Sequence, residues 1–181
     1  MQGHVSILSV SPEAAAMIAS GGRISTMDGT ADEIYANSLS AGQEKNEKLI
    51  GKVLSSGHTS VLEHCYVNLS FENVSVLAEQ FLIEFRLASF TVKSRRYVDF
   101  SKAGYVSPVF TDNVQMAIFE RTVESLFGTY DVLEAAGVPK EDARFVLPYC
   151  FCSNFFCSMN ARELVLSLIH ISEPTRHAQI S

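Results

Sequence analysis

Several chemical signatures are missing from this sequence. It has no G-x-S-x-G elbow, no Walker loop and no G-x-G-x-x-G fingerprint, so nucleophilic hydrolases, P-loop enzymes and Rossmann dehydrogenases have no support in it. Its four cysteines, Cys65, Cys150, Cys152 and Cys157, lack the paired C-x-x-C spacing of a zinc site. They sit in apolar, strand-like stretches and read as ordinary buried thiols. Positive charge is also short. Fourteen Lys and Arg against twenty Asp and Glu leave a net charge of -6, which argues against nucleic acid or an anionic membrane as a general partner of the surface. The N-terminus has no basic region before its apolar part, and Pro12 and Glu13 interrupt that part, so neither a signal peptide nor a spanning helix is expected. The expected location is the cytoplasm.

What is present suits a globular chain. At 181 residues and 47% hydrophobic content, one domain with a real core is the default. HVSILSVS alternates like a strand, and Ser11-Pro12-Glu13 is the expected start of an Ala-rich helix ending at Gly21-Gly22. Residues 30–39 and 42–54 read as amphipathic helices, with the charges of GQEKNEK as a solvated face and Gly57 as the stop. Residues 62–72 alternate Cys65, Val67, Leu69 and Phe71 against Tyr66, Asn68, Ser70 and Glu72, the clearest strand signal. Residues 74–87 are expected to form a central helix that delivers Arg86 to its C-terminal end. A long helix over 113–136, a short one from Pro139, a strand-like LPYCFCSNFFCSMN and a helix capped by Asn160 complete the pattern. Irregular mixing of strands and helices predicts an α+β fold, with helices around an antiparallel-type sheet.

The last stretch, 166–181, reads differently. One frame of a common transposase sequencing adapter translates as Leu-Ser-Leu-Ile-His-Ile-Ser-Glu-Pro-Thr-Arg, which is Leu166 to Arg176 letter for letter. A variable index then covers His177 to Gln179, and the adapter resumes as Ile180-Ser181. The expectation is that natural sequence runs to about Val165 and that 166–181 is an assembly artefact, so His170 and His177 are assigned no function.

Three segments are polar where a core or a turn would not demand it: GHTSVLEH at 57–64, EFRLASFTVKSRRY at 84–97, and ARFVLP with MNAR at 143–162. In the second, Arg86, Lys93, Arg95 and Arg96 with Ser89 and Ser94 could hold a phosphate by charge-assisted hydrogen bonds. The plain alternative is a solvated loop paired with surface acids. His58, Glu63 and His64 are metal-ligand types, but their spacing is not H-E-x-x-H, and a strand from Leu62 would turn Glu63 and His64 to opposite faces. No metal site is assigned.

Taken in order, these segments resemble the flavin-dependent thymidylate synthases from about Arg23 to Val165. GRIS at 22–25 is similar to an early flavin-contacting segment, GHTSVLEH to the G-H-x-S-x-x-E-H motif, Arg86 and Ser94 to the end of the R-H-R-x7-S signature, and ARFVLP and MNAR to A-R-x-x-L-P and N-A-R. The resemblance implies a homotetramer that binds FAD and dUMP. It implies reductive methylation of dUMP to dTMP, with methylenetetrahydrofolate as one-carbon donor and NADPH as reductant. Carried over by position, Ser25, His58, Ser60, Glu63, Arg86, Asn160 and Arg162 would contact FAD. Gln80, Ser94, Arg95, Arg96 and Arg144 would hold dUMP, and Arg86 and Ser94 would serve catalysis. The flavin handles the hydride, so no cysteine needs a catalytic role. The domain implied is 1–165, incomplete at its C-terminus.

The match also departs from the pattern. Glu84-Phe85 replace Arg-His of the signature, which puts an anion near a phosphate-bearing ligand and trades imidazole hydrogen bonds for a flat apolar ring. One residue more separates Glu63 from Arg86, and Thr91-Val92 stand where Asn-Glu is common. These departures leave a second reading open, a homologue that binds flavin or nucleotide without catalysing methylation, and a third, a structural homologue that binds neither.

Overall fold

The computed structural model describes residues 2–85 and 87–172, with side chains to residue 168. Four strands, β1 (His4–Val10), β2 (Tyr66–Ser75), β3 (Ala88–Val92) and β4 (Cys152–Asn160), form one sheet in the order β1-β2-β4-β3. Ser9 meets Asn68 and Ser11 meets Tyr66, the falling register of an antiparallel pair. With seven α-helices besides these strands among the described residues, the fold class is α+β, as the sequence predicts. Backbone contacts divide the chain into two compact units, residues 1–6 with 69–157, and 7–68 with 158–181.

In the 7–68 unit, α1 (Ala14–Arg23), α2 (Ala31–Ala41) and α3 (Gln43–Ser55) pack beside a 3-10 turn, Thr59–His64. Ile18, Val61 and Cys65 form its core, with Ile50, Val53, Leu54 and Leu62 against them. Thr30 caps α2 in a capping box, its hydroxyl accepting from the Glu33 amide while the Glu33 carboxylate accepts from the Thr30 amide. Arg23 ties the helices together: its guanidinium donates to Ser38 Oγ at 2.6 Å and to Asn46 Oδ1 at 2.8 Å. Both acceptors are buried, so the polar run 42–48 is not purely a solvated face.

The other unit holds α4 (Val76–Leu82), α5 (Asn113–Ala135) and α6 (Lys140–Ala143), and a core of Val76, Phe100 and Phe151. Phe100 and Phe151 meet edge to face at 5.3 Å. Phe71 stacks on Phe155 with centroids 4.6 Å apart, holding β2 to β4.

Several local expectations need correction. Ser11 does not cap α1. Its hydroxyl accepts from the Tyr66 amide at 2.9 Å, and Glu13 takes the cap position in the left-handed region at φ 51°. Gly21-Gly22 do not end the helix, because they serve packing: a Cβ on Gly21 would lie 3.1 Å from the His64 ring, and one on Gly22 3.1 Å from Val53. The strand expected from Leu62 begins at Tyr66, since 59–64 wind into the 3-10 turn. The central helix expected over 74–87 is the end of β2 followed by a seven-residue α4 capped by Ser75, and Leu77 and Phe81 on it are exposed. Its apolar run combined a strand end with a partly exposed helix, which periodicity cannot separate. The basic segment carries an unexpected strand, β3, and Leu147–Phe151 precede β4 rather than belonging to it.

Candidate functional site

The residues singled out from the sequence fall into two groups, one in each unit. In the 69–157 unit, Gln80 from α4, Arg95 from the loop after β3, and Arg144 from the 3-10 turn after α6 line one pocket of about 360 Å³. Val76, Phe145, Leu147, Tyr149 and Phe151 complete its wall. Arg144 donates from Nε to the Glu141 carbonyl at 2.8 Å and lies 5.7 Å over the Phe145 ring. Among the described residues it meets no carboxylate, so its charge is available. Arg95 is different: it is ion-paired with the fully buried Glu79 and sits 5.5 Å over the Phe151 ring.

Ser94 and Arg96 stand in the turn that carries Arg95. The Ser94 hydroxyl accepts from the Arg96 amide at 3.3 Å, and its carbonyl from the Val98 amide at 3.1 Å, so this serine orders the turn. Arg96 is exposed, 5.5 Å over the Tyr97 ring. Arg86 lies outside the described residues. Glu84 is exposed, and Phe85 packs edge-on to Phe81 at 5.9 Å. An acid that faces water beside the signature imposes less Coulomb cost than a buried one.

In the 7–68 unit, Ser25, His58 and Ser60 line a second pocket, of about 430 Å³, with Gly21, Gly22, Thr26, Lys52, Val53, Ser56 and Val61. Gly57, at φ 84°, makes the turn that brings His58 and Ser60 in. Glu63 is ion-paired with Arg162, and Asn160 Oδ1 accepts from the Glu163 amide at 2.9 Å to cap α7 (Ala161–Ser172), the helix that carries Arg162. The Ala161 amide donates to the Cys65 carbonyl at 2.8 Å, which fixes this helix start beside the 3-10 turn.

The four cysteines are all free thiols, three of them buried. Burial pushes each thiol upward, Cys157 to about 11, so none is a thiolate near neutrality. Among the described residues no three His, Cys, Asp or Glu gather as a metal set, and no helix is long and apolar enough to cross a membrane.

The family model described as "Thymidylate synthase complementing protein" matches residues 6–179. The chain belongs to that family. Curated relatives are named flavin-dependent thymidylate synthase: one from Geobacter sulfurreducens is 34% identical over 165 residues, 89% of this chain and 70% of the relative. One from Nitratidesulfovibrio vulgaris is 32% identical over 174 residues, 90% of this chain and 71% of the relative. Among solved structures, a UMP/dUMP methylase, PolB from Streptomyces cacaoi, bound with 5-Br dUMP, superposes with a TM-score of 0.72. The match covers 90% of this chain and 75% of that one at 23% identity, which establishes the likeness of fold. Against this flavin-dependent synthase family, sequence reasoning missed the aromatic wall of the first pocket, Phe145, Tyr149 and Phe151, and the buried Glu79. Their signal was position: Phe145 lies within ARFVLP, Tyr149 and Phe151 follow it, and Glu79 adjoins Gln80.

Proposed function

We propose that this protein is an FAD-dependent thymidylate synthase that methylates dUMP reductively to dTMP, with methylenetetrahydrofolate as one-carbon donor and NADPH as reductant. One observation carries the reading: Gln80, Arg95 and Arg144, from three separated segments, converge on one partly aromatic pocket. Arg144 supplies a guanidinium for the nucleotide phosphate, Ser94 and Arg96 a hydroxyl and a second cation at the adjoining turn, and Gln80 an amide. Aromatic walls give a planar base a surface to stack on. Arg86 and Ser94 stand as the catalytic assignments, in which an arginine beside the reacting ring stabilises negative charge as it develops.

The second pocket fits a phosphate-bearing cofactor. Ser25, Ser60, Thr26, Ser56 and Lys52 offer hydroxyl and ammonium donors, His58 a ring donor, and Gly21-Gly22 leave backbone close to the cavity. FAD held there, with Glu63, Asn160 and Arg162 beside the 3-10 turn, would supply hydride chemistry that no side chain of this protein can. The chain's own residues bind and orient.

The reading extends to a homotetramer in the cytoplasm with no nucleic-acid partner, and to residues 166–181 as translated adapter. Finding the codons for 166–181 in re-amplified genomic DNA would remove the last of these. The deciding experiment is tritium release from dUMP labelled at C5, with FAD, NADPH and methylenetetrahydrofolate present. Release establishes the synthase. A folded, flavin-loaded protein that releases none is the non-catalytic binding homologue, the reading favoured by Glu84 and Phe85 in place of Arg-His.

A further inference from the structure

The pocket wall that carries Gln80 and Arg95 rests on one buried group. Glu79 is 0% exposed and does not line the pocket itself. A single oxygen, Oε1, accepts from Arg95 Nη2 and from Gln80 Nε2, the latter at 3.1 Å. Its other oxygen and the Nε of Arg95 are buried without a hydrogen-bond partner, so the pair is held by one shared oxygen rather than by a closed bidentate fork. Two consequences follow. An ionised carboxylate only accepts, so the Gln80 amide must turn its NH2 toward Glu79, which leaves its carbonyl oxygen to meet a donor from a ligand. And the Arg95 charge is cancelled in place, so the net positive charge of the pocket is that of Arg144.

We propose that Glu79 is a positioning residue for this pocket, which orients Gln80 and Arg95 and restrains the pocket's attraction for bare anions in favour of a ligand that also engages Gln80. The identity of that ligand as dUMP rests on the function proposed above; the charge restraint does not. Removing the carboxylate charge frees one cation at the wall and releases the Gln80 amide. Phosphate then gains and the nucleoside part loses.

The test compares inorganic phosphate and dUMP, titrated by calorimetry into the parent chain and into Glu79→Gln at low ionic strength. The variant is expected to bind phosphate about tenfold more tightly, and its preference for dUMP over phosphate should fall by at least about tenfold. An unchanged preference, or weaker phosphate binding in a folded variant, overturns the proposal. Should Glu79→Gln not fold, Glu79→Asp keeps the paired charge but withdraws it by one carbon. It should hold phosphate within about threefold of the parent and lose about tenfold toward dUMP. Equal losses toward both, or none, overturn it. A parent chain that binds phosphate but not dUMP removes the proposed function, while the phosphate arm still decides the charge restraint.

Discussion

Arg144 and Arg95 look alike in the sequence and differ in the fold. Arg144 keeps its charge over Phe145, whereas Arg95 is paired with a buried acid 16 residues earlier in the sequence, a partner no motif announces. Arg144→Ala is therefore expected to weaken dUMP binding by about 2 kcal/mol, about thirtyfold, in a calorimetric titration. The cysteines were readable from their apolar surroundings, because a thiol in such sequence is nearly always buried. With burial holding Cys157 up at about 11, iodoacetamide at pH 8 should leave it unmodified in the native protein and label it after denaturation, as read by mass spectrometry. The glycines were misread. Gly21 looks like a helix stop, yet its hydrogen faces the His64 ring, a contact that only the packed helix creates. Gly21→Ala should lower stability by about 1 kcal/mol despite alanine's better helix propensity, as judged from urea midpoints.

Elements with their own local signals were legible. α2 announces itself by Thr30 and Glu33, and α7 by Asn160, because caps are written in adjacent residues. Thr30→Ala is expected to cost about 1 kcal/mol. The Glu33 carboxyl is held below its ordinary value first by the Thr30 backbone amide and then by the Thr30 hydroxyl. A lowered native value contributes stability above the unfolded pKa and loses it as pH falls through the native one. The gap in urea midpoint between the parent and Glu33→Gln should thus be larger at pH 7 than at pH 3. Where β2 runs straight into α4, sequence had no punctuation to offer. Ser75 ends the strand and caps the helix at once, and the apolar residues on both sides have different environments. Strand β3 was hidden by the charges around it, since the hydrogen bond at its end, from the Lys93 amide to the Asn154 carbonyl, joins residues 61 apart in the chain.

Across the whole molecule, exposed apolar side chains are the outstanding property. Leu77, Phe81 and Leu87 are each more than 60% exposed around α4, and β1, at one edge of the sheet, leaves Ile7 and Leu8 open. Open strand edges and apolar surface of this kind favour association, in keeping with the proposed homotetramer. Light scattering coupled to size exclusion should give four chains for the parent and a smaller mass for Phe81→Glu. A monomeric parent would overturn the assembly. The two pockets themselves emerge only at this scale, because each gathers residues from segments that are distant in sequence and are brought in by packing. One further consequence lies in the Arg23 guanidinium, which bonds α1 to Ser38 on α2 and to Asn46 on α3. Opening any one of these helices strands polar groups in the others. Their slowest amides should therefore exchange with deuterium at a single common free energy, as one cooperative block.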